Sequence, residues 1–141
     1  HNQLTILDLS GNKNLSYLQC QVNNLTSLDF SNNLYLVQLT CNNNQLKKLD
    51  MSKQVSLQHF ICNSNQLTEL DLTKNKDLYA FNCQSNQLSS IDISTNSKVG
   101  FLNVSDICLH NFQFVLLNHF FLNHGNLYSL IDLARKVHDS S

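Results

Sequence analysis

The sequence predicts an α/β chain in the conventional sense: a solenoid of short parallel β-strands and loops, closed by a helical C-terminal cap. Three observations predict it. Leu7-Asp8-Leu9, Leu28-Asp29-Phe30, Leu49-Asp50-Met51, Leu70-Asp71-Leu72 and Ile91-Asp92-Ile93 recur at one constant interval. Midway between them, Leu18-Gln19-Cys20, Leu39-Thr40-Cys41, Phe60-Ile61-Cys62, Phe81-Asn82-Cys83 and Leu102-Asn103-Val104 keep the same interval. Beyond residue 104 both series stop and the apolar residues take up a helical spacing. A period of roughly 20 to 50 residues marks stacked units, none of which can bury its apolar face alone.

One period reads Leu15-x-x-Leu18-x-Cys20-x-x-Asn23-x-Leu25-x-x-Leu28-Asp29-Phe30-Ser31-x-Asn33-x-x-Leu36. Each half carries an apolar-x-apolar triplet with Asn three places later. Such a triplet has the two-residue period of a strand, alternate side chains facing in. Two triplets per coil predict a short strand on each side, stacked about 4.8 Å from its neighbours. Within the repeats the glycines are Gly11 and Gly100, and proline is absent. The corners are therefore expected to be turned by Asn, which tolerates left-handed backbone and bonds neighbouring amides. Gln54 replaces one corner Asn and Ile107 another, the second at the end of the array.

In the last segment Phe112, Val115, Leu116 and Phe120 are spaced as one helix face, and His124-Gly125 forms a stop. Leu127, Leu130, Ile131, Ala134 and Val137 follow as a second amphipathic helix, with Arg135 and Lys136 suited to its last turn. The expected organisation is a repeat array of about five coils over residues 1–105 and a helical cap over 106–141, covering the open apolar edge of the last coil. No equivalent N-terminal cap is visible and the chain enters the pattern in mid-repeat. It reads as a fragment of a longer protein, so a missing targeting segment carries no weight.

The residues Leu15 to Leu25, Leu36 to Leu46, Leu57 to Leu67 and Leu78 to Leu88 match L-x-x-L-x-L-x-x-N-x-L, with Cys at the third apolar position. In this the sequence resembles the leucine-rich repeat family. It is especially similar to a nested 21-residue class known mainly from bacterial proteins, in which L-x-x-L-D-L-S-x-N follows as a second copy. The match covers residues 2 to 109. The resemblance implies a curved, right-handed solenoid with the conserved strand on its concave side. It also implies a protein-protein interaction module, and it leans toward a secreted or cell-surface location. A ladder of unpaired cysteines is compatible with a cytoplasmic one.

Composition narrows the function classes. Nine basic and ten acidic side chains leave a net charge of −1 with no basic run, which gives nucleic-acid binding little support. No apolar stretch approaches the roughly 20 residues of a membrane span. Hydrolase, zinc-protease and phosphate-loop motifs are absent from the sequence. No catalytic residue and no cofactor is expected.

Two ladders invite chemistry. Cys20, Cys41, Cys62 and Cys83 sit one full period apart, without metal-site spacing. Val104 takes the same position in the next coil, so the place asks for a small apolar group, as a buried free thiol is. Stacked cysteines are near enough for a disulfide by Cα distance, but their side chains run parallel. Asp8, Asp29, Asp50, Asp71 and Asp92 form a second ladder at about 5 Å intervals. Their mutual repulsion calls for compensation by Ser and Thr two places on, or by backbone amides. A cation-binding stripe is the alternative, since hard cations take several oxygen ligands. Cys108, His110, His119, His124 and His138 gather in the cap segment without a shared helix face.

The surface expected to bind a protein partner is the outward side of the Cys-containing strand: Tyr17, Gln19, Gln38, Thr40, His59, Ile61, Asn82, Phe101 and Asn103. It mixes aromatic rings with adaptable amides and carries no formal charge. Other functions compatible with the repeat are a structural spacer and a surface protein stabilised by cations on the Asp ladder.

Overall fold

The computed structural model describes residues 2–104. The helical cap expected over 106–141, with Cys108 and its histidines, lies outside the described residues. Five three-residue strands form one parallel sheet in chain order: β1 Tyr17–Gln19, β2 Gln38–Thr40, β3 His59–Ile61, β4 Ala80–Asn82 and β5 Phe101–Asn103. Every strand pairs with the next at a shift of one whole period, as in Leu18 with Leu39 and Leu39 with Phe60. The strict period of the sequence is thus the register of the sheet. The ladder continues past the strands, where the Cys20 amide donates to Thr40 O and the Val22 amide to Asn42 O.

Behind the sheet lies a continuous apolar core. Leu36, Leu39, Cys41, Leu46, Leu57, Phe60, Cys62, Leu67, Leu72, Leu78 and Phe81 are fully buried. The Phe60 and Phe81 rings stack at 5.8 Å with 28° between their planes. Burying one such side chain contributes about 1.5–3 kcal/mol, and each coil supplies several from both triplets. The core therefore runs between coils and belongs to no single repeat.

The second triplet departs from expectation. Leu28-Asp29-Phe30 and its equivalents point their apolar residues inward, but they form no strand among the described residues. Their polar groups are engaged otherwise. The amide of Ser31, two places after Asp29, donates to Asp29 Oδ1, and the Asn33 amide closes a turn onto Phe30 O. The link to the preceding coil is made by a side chain, with Asn33 Nδ2 donating to Leu9 O and Asn12 O. On this side coil is joined to coil by that side chain, where the other side has a strand ladder.

The corners also differ in detail. After β1 to β4, one residue adopts left-handed backbone, and it is the residue before the corner asparagine: Val22, Asn43, Ser64 and Ser85, with φ between 54° and 57°. The asparagine itself serves as a clamp. Asn44 Oδ1 accepts the Leu25 amide, while its Nδ2 donates to Cys20 O and Cys41 O. Asn65 and Asn86 repeat the arrangement, and Asn23 accepts the Leu4 amide and donates to Cys20 O within its own coil.

Candidate functional site

Strand pleating dictates the face that the array presents. Leu18, Leu39, Phe60, Phe81 and Leu102 point into the core, so the residues on either side of each point out. In register along the first row lie Tyr17, Gln38, His59, Ala80 and Phe101; along the second lie Gln19, Thr40, Ile61, Asn82 and Asn103. All nine binding candidates read from the sequence fall on this one sheet face. Tyr17 and Phe101 are 66% and 52% exposed. Gln19 is exposed as well, and the other six are half-buried.

The face is uneven. Over β1 and β2, Gln19, Gln38 and Thr40 stand beside exposed Tyr17. Over β3 to β5, the rings of His59 and Phe101 stand beside Ile61, Asn82 and Asn103. Ala80, which is buried, sits in register between His59 and Phe101. Tyr79, just before β4, lies with its ring 6.0 Å from that of His59 and tilted by 56°. A Cβ placed on Gly100 would come within 3.0 Å of the Tyr79 ring. The glycine at the matching place in the next coil therefore makes the space over which Tyr79 lies, and the ring is still 55% exposed. Tyr79 is missing from the candidates that the sequence supplies. A large aromatic one full period before a glycine in the same column was the available signal.

Hydrogen bonds order the amides at the C-terminal end of this face. Asn103 Nδ2 donates to Gln84 Oε1 at 2.6 Å, and the Gln84 amide donates to Asn82 Oδ1. No Asp, Glu, Lys or Arg stands on either outward row or beside it. The charged groups lie elsewhere on the coil, as in the pair Lys48–Glu69.

The Asp ladder occupies the opposite side. Asp8, Asp29, Asp50, Asp71 and Asp92 all point outward and are exposed. Each uses Oδ1 to accept the amide two residues on, at 2.8–2.9 Å. For Asp8, Asp29, Asp71 and Asp92 that amide, followed by the same residue's hydroxyl, holds the carboxyl below its ordinary range. At Asp50 the Ser52 hydroxyl comes first. Repulsion from neighbouring aspartates acts the other way at Asp29, Asp71 and Asp92 as the smallest of the effects. Among the described residues, no three His, Cys, Asp or Glu side chains gather as a metal site would require.

The cysteine ladder lies inside. Cys20, Cys41, Cys62 and Cys83 are free and buried. Burial pushes the Cys20 thiol up to about 11 and that of Cys83 to about 12, and it raises Cys41 and Cys62 as well. A thiol held protonated in this way is a weak nucleophile and a poor ligand.

No family model and no curated protein matches the sequence. Solved structures do. The functional domain of InlJ from Listeria monocytogenes, described as including a cysteine ladder, is 40% identical with a TM-score of 0.67, over 68% of this chain. An internalin, InlF, from the same organism aligns over 79% of the chain at 19% identity, with a TM-score of 0.62, a likeness of fold alone. The chain spans 21% of the first protein's length and 37% of the second's.

Proposed function

Because the chain belongs to the leucine-rich repeat family, we propose that it is a non-catalytic protein-interaction module and that its strand face is the binding surface. The chain is a repeat scaffold, and a scaffold acts through the face that it displays. The observation that carries the reading is the uncharged sheet face, on which Tyr17, Tyr79 and Phe101 stand exposed beside half-buried His59 and Ile61. Rigid rings with little rotamer entropy to lose are the usual anchors of protein interfaces, and side-chain amides adapt around them. The Asp side offers no comparable surface, since each carboxylate there is already committed to its own turn.

The test is a variant carrying Tyr17→Ser, His59→Ser, Ile61→Ser and Phe101→Ser. Capture of a partner from cell extract by the 141-residue chain is expected to disappear in the variant while its circular dichroism and melting temperature stay close to those of the parent. Undiminished capture would remove the strand face from the proposal. A parent chain that retains nothing specific would favour a spacer.

A further inference from the structure

The β1–β2 end of the strand face differs from the rest in what its side chains leave unused. Pleating and register lay out a grid there. Tyr17, Gln19 and Gln21 point outward along one coil, and Gln38, Thr40 and Asn42 stand beside them on the next. Neighbours lie about 6.6 Å apart along a strand and about 4.8 Å apart across the sheet. The Tyr17 ring, Gln19 and Gln21 are exposed, and the other three are half-buried. The carboxamides and the Thr40 hydroxyl make no side-chain hydrogen bond with any described residue. At the far end of the face the amides are tied together instead, Asn103 to Gln84 and Gln84 to Asn82.

The same stretch is electrically bare. From Asn14 to Leu46 the one charged side chain is Asp29, which belongs to the opposite side of the coil. A phosphate, sulfate or carboxylate ligand finds no cation here to pair with. What the grid offers is neutral and two-sided, since each carboxamide brings two N–H donors and a carbonyl acceptor, and a hydroxyl does both. Sugar hydroxyls also donate and accept, so such a grid can bind several of them at once. The C–H face of a sugar ring is flat and apolar, and it packs on the electron-rich face of an aromatic ring.

We propose that Tyr17, Gln19, Gln21, Gln38, Thr40 and Asn42 form a binding site for a neutral saccharide. One sugar ring stacks on Tyr17, and the carboxamides and Thr40 hold its hydroxyls and those of the adjoining sugar. The ligand lies on the open surface across both strands. An apolar peptide side chain would have only the Tyr17 ring to pack on in this grid, and it would cover the carboxamides without satisfying them. The site shares the strand face with the proposed protein surface but uses none of His59, Ile61 and Phe101, so it stands whether or not a protein binds there.

The test is binding of the 141-residue chain to an array of neutral oligosaccharides of glucose, galactose and N-acetylhexosamines, beside sialylated and sulfated forms of the same chains. Saturable binding to neutral chains is the expected result, with no gain from the acidic groups. Tyr17→Ala and Gln19→Ala, both at exposed positions, should each weaken it about tenfold. Titrating the bound sugar should shift the side-chain NH2 resonances of Gln19, Gln21, Gln38 and Asn42. A His59→Ser, Phe101→Ser variant should bind sugar as the parent does, which separates this site from the proposed protein surface. Binding to no neutral chain, binding to the acidic forms alone, or binding indifferent to Tyr17→Ala would overturn the proposal. So would resonance shifts centred on β4 and β5.

Discussion

Val22 holds a φ of 57° in a position that Asn43, Ser64 and Ser85 fill in the following coils. Left-handed backbone costs an L-residue roughly 1–2 kcal/mol, and a β-branched side chain suits it least. Asn relieves that strain through local hydrogen bonding. Val22→Asn is therefore expected to stabilise the protein by about 1 kcal/mol, read as a higher urea midpoint with an unchanged slope. At the Asp positions the prediction concerns pH. Hydrogen bonds formed on folding depress the carboxyl pKa values. Their contribution is thus present above the ordinary carboxylate range and is lost as pH falls through the depressed values. The melting temperature should drop in acid, and Asp71→Asn should weaken that dependence while keeping an acceptor for the Thr73 amide. A chain whose melting temperature is indifferent to acid would contradict this account of the ladder.

Among the elements, the clamp asparagines tie coil to coil most tightly. Asn44 is 9% exposed and bonds four backbone groups, two of them in the preceding coil. Asn44→Leu would leave the Leu25 amide and the carbonyls of Cys20 and Cys41 without that partner. At about 1–3 kcal/mol for a buried group left unpaired, a loss of about 3 kcal/mol or more is expected in denaturant unfolding. The repeat motif shows that this asparagine recurs, but its role as a clamp depends on a carbonyl in another coil. The same holds for Tyr79. Its placement over Gly100 needs both coils to be in register, so the residue does not stand out within its own repeat.

At the scale of the whole molecule, the array is a stack in which each coil meets its two neighbours. Deleting residues 36–56 removes one whole period and joins Tyr35 to Leu57 in the same phase. The shortened chain should fold with a lower melting temperature. Deleting residues 36–55 leaves one residue over and turns the strands of the following coils out of phase, so loss of cooperative melting is expected. Circular dichroism melts of the two deletions decide the matter. The interior gives a second whole-molecule prediction. In a Cys108→Ser background, the four ladder thiols should stay unreactive toward a disulfide reagent at pH 8 until the chain is unfolded in urea. Their reaction in the native protein would show that the core is open.

The sequence by itself determined the period, the inward and outward phase of both triplets, the burial of the cysteines and the nine candidates that share the strand face. All of these follow from side-chain alternation combined with a constant repeat, which are properties of the chain alone. Tertiary structure decided the rest. It decided that one triplet builds a ladder while the other runs into a turn held by its own aspartate. It placed the left-handed turn one residue before the corner asparagine, and it seated Tyr79 over the glycine of the next coil. Each depends on which carbonyl or open space a neighbouring coil presents, and that exists only after the coils have stacked.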